Sequence, residues 1–250
     1  LFIDNFRINE FKYLKSSFDA NINDKGIFIN KFRGQNNLSS FDISGFIELD
    51  HNLKLSDNNE VNLKGEIYNF DISTLNSYLP WVIDIGGDIT SKILISGILS
   101  NIRFDMTPTI INPRFDKIYG NKIFGKVHYK NNRLYLSNII CQTNLGKYDV
   151  NGSLPANLNY FNNQDISLKP IYIDINANSQ SMEFLTPYFP FIKDFKGVFE
   201  YTLNIHGNYK NTIRDGAIVI RNAYLDLLQL DNRIDNINSY AVINNNRLII

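Results

Sequence analysis

The 250-residue chain balances 25 Lys and Arg against 25 Asp and Glu, so its formal net charge is zero. That balance gives no sign of the basic surface by which proteins grip nucleic acid or of the polybasic patch that holds anionic lipid headgroups. A lone cysteine, Cys141, excludes a disulfide framework and any metal site built from cysteines.

In chain order, Leu1-Phe2-Ile3-Asp4 offers no initiator Met and no basic n-region. No 18-residue apolar run follows anywhere, so neither a signal peptide nor a transmembrane helix is expected. Asp24-Lys25-Gly26 is the first of the polar turn signals that separate apolar runs at strand length. A helix of one to two turns is expected over 73–79, opened by Ser73 and stopped near Pro80, after which Gly87 is expected to start a new strand. Ile89, Ser91, Ile93 and Ile95 then alternate with Thr90, Lys92, Leu94 and Ser96. Lys130-Asn131-Asn132 turns the chain into a strand bearing Leu134 and Leu136. Ile171, Ile173 and Ile175 alternate with Tyr172, Asp174 and Asn176. A second short helix is expected over 181–189, near Pro187 and Pro190, with Gly197 as the next strand start. Phe199, Tyr201, Leu203 and Ile205 alternate with polar residues, and Ile218 and Ile220 continue the pattern. The last turn signal is Asn244-Asn245-Asn246. Leu248-Ile249-Ile250 falls in mid-strand, so the chain is read as a segment of a longer protein. A period of two places each apolar set on one sheet face, and the whole reads as an antiparallel meander of fifteen or more strands.

The chain also repeats itself. Leu75, Tyr78, Pro80, Asp84, Gly87, Ile95 and Gly97 recur at an offset of 110 as Leu185, Tyr188, Pro190, Asp194, Gly197, Ile205 and Gly207. Gln35, Asn37, Leu38, Asp42 and Gly45 recur at 107 as Gln142, Asn144, Leu145, Asp149 and Gly152. Asn131-Asn132-Arg133-Leu134 recurs at 114 as Asn245-Asn246-Arg247-Leu248. Three copies of one unit are implied. Residues 1–65 close a preceding repeat, 66–170 form a complete one and 171–250 begin the next, in one β-array without linkers. Repeat arrays build long uniform surfaces rather than single constellations.

The residues with chemistry to offer are dispersed. His51, His128 and His206 have no partners at metal spacing, and His206 is expected on a polar sheet face. Asp84 recurs as Asp194, which suits a turn better than catalysis. Asp71, Asp84, Asp88, Asp105 and Asp116 would have to converge in space to act as a glycosidase pair. No catalytic residue, metal or cofactor is therefore expected. The apolar face remains. Two short helices cannot cover it, so the sheet must fold over, close, or curl into a trough. A long apolar trough suits an acyl chain, each buried methylene being worth about 0.8 kcal/mol.

One segment carries a resemblance. Leu75-x-x-Tyr78-Leu79-Pro80-Trp81, then Ile85-Gly86-Gly87-Asp88-Ile89, then Lys92 through Ser100 resembles the AsmA-like superfamily, which includes TamB and YhdP. The second copy, Phe184-Leu185 through Gly207, resembles it more loosely, with His206 where a small residue is usual. The resemblance implies an inner-membrane-anchored protein crossing the periplasm, its anchor outside this chain. It implies a repetitive antiparallel sheet curled like a taco, with one short helix per repeat. It also implies a groove that carries phospholipid acyl chains toward the outer membrane, working with inner- and outer-membrane components. On that reading the groove is lined by Ile93, Ile95, Leu134, Leu136, Ile171, Ile173, Ile175, Leu203, Ile205, Ile218 and Ile220. Three readings compete with it. They are an assembly module whose strand edges engage outer-membrane proteins, a carbohydrate-active β-helix enzyme and a transmembrane barrel.

Overall fold

The computed structural model describes residues 2–8, 11–73, 84–116, 118–144, 146–157, 165–181, 189–230 and 233–249. They form one antiparallel sheet of 17 strands. The first six are β1 (Phe2–Ile8), β2 (Phe11–Asn23), β3 (Gly26–Gln35), β4 (Ser40–Glu48), β5 (Glu60–Asp71) and β6 (Ile85–Ile98). The next six are β7 (Asn101–Met106), β8 (Thr109–Phe115), β9 (Ile118–Tyr119), β10 (Lys122–Lys130), β11 (Arg133–Gln142) and β12 (Gly146–Pro155). The last five are β13 (Ile171–Ser181), β14 (Ile192–Gly207), β15 (Thr212–Leu227), β16 (Ile234–Asn244) and β17 (Arg247–Ile249).

Each strand pairs with its successor, as a meander requires, except at one interrupted place. β7 and β8 both pair with β6 on one side and β10 on the other. Pro108 between them has no N–H to give the ladder, so one long rung is cut in two. β9 continues the register of β10 against β8. The first repeat junction read from the sequence, at 65/66, falls inside β5, and β12 pairs with β13 on either side of the second.

Both helices expected over 73–79 and 181–189 fall mainly outside the described residues. Of the residues expected in them, Ser73 follows Ile72 in a short 3₁₀ turn and Ser181 is the last residue of β13. A correction concerns Gly87 and Gly197, which do not start strands. Each sits inside one, at a bulge, with φ of +123° and +152°. A Cβ on Gly87 would stand 2.9 Å from Ile110 Cγ2, and one on Gly197 2.4 Å from Ala223 Cβ. Glycine is needed because the facing strand presses in, not because a turn begins there. Their repeat-matched neighbours diverge. Asp84 precedes β6 with φ +113°, whereas Asp194 lies within β14 and accepts from Tyr224 Oη at 2.8 Å.

Several matched motifs share one geometry. Asn131-Asn132 and Asn245-Asn246 both have two successive positive φ values, between 48° and 64°. Each closes a two-residue hairpin, Lys130 opposite Arg133 and Asn244 opposite Arg247. That is the mirror-image turn whose twist matches the flanking strands, and asparagine tolerates it. Gly45 faces Ile29 just before β3 slips by one residue, and Gly152 faces Leu136 just before β11 slips likewise.

Candidate functional site

Directly opposed residues in an antiparallel ladder share a face. One row can therefore be followed from strand to strand: Phe18, Phe32, Ile43, Gly65, Ile93 and Met106 lead on through β10 and β11 at Val127 and Leu136. It continues through Gly152, Ile173 and Ile205 and ends at Arg214. The row beside it holds Leu63, Ile95, Phe104, Tyr129 and Leu134. Ile175 opposes Leu203, Ile218 opposes Tyr201 and Ile220 opposes Phe199. Ile171 lies two residues from Ile173 and is buried. The eleven residues singled out from the sequence thus stand on one sheet face.

Most are half-buried rather than buried, shielded by neighbours in the sheet but not by a packed second layer. The accessible surface agrees: 15585 Å², against about 11,000 Å² for a compact monomer of this mass. Tyr129 is fully buried, stacks on Phe104 with ring centroids 5.1 Å apart, and donates from Oη to Asn132 Oδ1 at 3.1 Å.

Two hollows interrupt the apolar face. A small one of about 80 Å³ lies among Phe41, Ile43, Leu63, Ile67, Ile93 and Ile95. Gly65, in the row between Ile43 and Ile93, leaves the space. The other, of about 360 Å³, draws its wall from β6 (Ile85), β8 (Arg114), β10 (Ile123), β11 (Cys141), β12 (Tyr148, Val150), β13 (Ile175) and β14 (Tyr201). Six inter-strand steps would spread those residues over roughly 29 Å in a flat sheet, so the strands bend around the hollow. Tyr148 and Tyr201 flank Ala177, whose small side chain lets their rings approach to 6.4 Å. Burial pushes the Cys141 thiol and the Tyr201 phenol above their ordinary pKa ranges. Of the eleven predicted residues, only Ile93 and Ile95 line the smaller hollow and Ile175 the larger.

The larger hollow holds one strong polar group. Arg114 opposes Gly86, and its Nη2 donates to Asp84 Oδ1 at 2.9 Å. Its Nε is buried and has no hydrogen-bond partner. Sequence reasoning missed Arg114. The only available signal was a cation beside Pro113 in a strand with no other charge.

The opposite face is polar and charge-paired. Arg33, Asp42, Glu66 and Lys92 follow one another across β3 to β6, with Arg33 2.6 Å from Asp42 and Lys92 3.5 Å from Glu66. His128 and His206 stand in one row of this face, as alternation required of His206. They lie 2.6 Å from Asp105 and 2.7 Å from Asp215. Among the carboxylates, the register sets Asp71 directly opposite Asp88, while Asp84 and Asp105 are engaged by Arg114 and His128. Among the described residues no three His, Cys, Asp or Glu side chains gather as a metal site would need. No described helix is long and apolar enough to cross a membrane.

Comparisons with protein-family models, with curated proteins and with solved structures gave no match.

Proposed function

We propose that the sheet is a conduit for acyl chains: a periplasmic segment of an AsmA-like, inner-membrane-anchored protein whose apolar face curls into a groove for phospholipid on its way to the outer membrane. The supporting observation is the apolar row that crosses eleven strands from Phe18 to Ile205, interrupted by glycines but by no charge before Arg214. A row serving only as a core would be covered, and this one is half-exposed along most of its length. The bend around the larger hollow supports a curled sheet. Binding by such a face scales with the chain buried, about 0.8 kcal/mol per methylene, so no catalytic group is called for.

The test is a charge placed on the row. Ile95→Asp and Ile205→Asp each leave an unpaired carboxylate in an apolar path, at a cost of several kcal/mol to a chain passing over it. Both variants, expressed at normal levels, are expected to reduce lipid transfer between membranes severely. Asp84→Asn, Asp88→Asn and Asp105→Asn should do little. Normal outer-membrane integrity with stable Ile95→Asp and Ile205→Asp proteins would count against the conduit, and loss of activity on changing one aspartate would favour an enzyme.

A further inference from the structure

We infer that Arg214 selects acyl lipids whose head carries a phosphate, pairing with that anion where the apolar row ends. The inference rests on the acyl-conduit reading and names the class of lipid that this end of the conduit prefers. Three observations carry it.

The first is position. Arg214 opposes Ile205, which opposes Ile173, so the row's one charge stands next in line to its last two isoleucines. In the row beside it Leu203 opposes Gly216 and Gly216 opposes Ile243, so the surface leading to the guanidinium is apolar there too. An amphiphile has the same order, a tail and then a head. The second is accessibility. Arg214 is exposed, so an anion reaches it without displacing any packed group.

The third is charge. Arg214 Nη1 donates to Asn246 Oδ1 at 3.3 Å, and the same oxygen accepts from the Arg214 amide at 3.0 Å. A neutral amide thus orients the guanidinium without cancelling its charge, whereas Arg114 is answered by Asp84. Among the described residues no carboxylate forms an ion pair with Arg214, nor with Lys210 or Arg247 on the two hairpin turns beside it. Two carboxylates are near. Asp215 lies on the other face, where it accepts from the Asn245 amide and pairs with His206. Asp165 acts on Lys210 from beyond ion-pairing distance. The corner therefore keeps a surplus of positive charge. A planar guanidinium presents paired donors that match phosphate oxygens. An uncharged head offers it no such partner, and inorganic phosphate has the anion but no tail to lie on Ile205 and Ile243.

The test places photocrosslinking p-benzoylphenylalanine at Ile243, beside Arg214, or at Leu63, on the same face in β5. The purified chain meets an equimolar mixture of lauroyl lysophosphatidylglycerol and monolauroylglycerol, whose tails are identical, and mass spectrometry counts the adducts. The ratio of phospholipid to neutral adducts is expected to be about five- to tenfold higher at Ile243 than at Leu63, the worth of one charge-assisted hydrogen bond at an exposed site. Arg214→Gln should bring the Ile243 ratio down to the Leu63 ratio with total labelling retained, and Arg214→Lys should keep part of it. Asn246→Asp, which sets a carboxylate against the guanidinium, should abolish the preference with Arg214 in place. Inorganic phosphate at the lipid's own concentration should leave the phospholipid adducts unchanged. Equal ratios at the two positions, a preference that survives Arg214→Gln, or displacement by inorganic phosphate would overturn the inference, and labelling at both positions would still leave the conduit standing. Adducts at neither position would reject the conduit and the inference with it.

Discussion

At the scale of single residues, asparagine is this sheet's device for bending strands. Asn69, Asn112, Asn138, Asn222 and Asn236 all lie inside strands with φ between 47° and 56°, a conformation asparagine tolerates better than other side chains. Three of them repeat one contact. The amide of Asn69 donates to Thr90 Oγ1, that of Asn138 to Asn151 Oδ1 and that of Asn222 to Asn238 Oδ1, so a polar side chain on the next strand satisfies the amide freed by the bulge. Asn138→Val is therefore expected to lower stability by about 1–2 kcal/mol, and Asn138→Gly to leave it nearly unchanged, as read by urea unfolding. Equal losses in the two would mean that the side chain, not the backbone, sets the cost. Asp215 is the second residue-scale device. Its carboxylate accepts from the Asn245 amide and pairs with His206, both at 2.7 Å, which pins the last hairpin to β14 and β15. The Asn245 bond, then His206, holds its pKa below the ordinary 3.8. A lowered acid stabilises when ionised, so its contribution is complete above its ordinary pKa and fades as the pH falls through its native value. The stability difference between the native protein and Asp215→Asn should be present at pH 7 and close in strong acid. A difference that stays constant down to pH 2 would refute the assignment.

At the scale of elements, the repeat gives the sharpest expectation. Gly45 and Gly152 are matched at offset 107, have φ of +141° and +149°, and each would place a Cβ 2.1 Å from a facing carbonyl oxygen, that of Asn62 or Tyr172. Gly45→Ala and Gly152→Ala should each destabilise by about 1–3 kcal/mol, and by similar amounts if the two sites are equivalent, which calorimetry of the pair measures. A large loss in one and none in the other would deny the equivalence. The two Asn-Asn turns, the alternation in β6, β13 and β14 and the equivalence of Gly45 and Gly152 were legible because they depend on local backbone preference and on a period of two. The bulges were not. An asparagine in a strand reads as polar or as a turn, and whether it adopts the left-handed conformation depends on the strand beside it. Gly87 and Gly197 were misread as strand starts for the same reason. The hollow at Arg114 was hidden more deeply, since it is assembled from seven rungs and depends on how far they bend.

At the scale of the molecule, the sheet has two unlike faces. One is charge-paired, and its exposed ion pairs add about 0–1 kcal/mol each, so their use is solubility rather than stability. The other is apolar and half-covered, at a cost a compact fold would avoid, and that cost is intelligible if acyl chains supply the cover. The most direct measurement places a photocrosslinking p-benzoylphenylalanine at single positions in the protein expressed in intact cells, followed by mass spectrometry of the adducts. Positions Leu63, Ile95, Ile173 and Leu203 lie on the apolar face, and Leu94, Tyr172 and Asn204 on the other. The conduit predicts acyl-lipid adducts at the first four and none above background at the last three. Lipid adducts spread equally over both faces, or adducts at the apolar positions that contain only protein, would contradict it.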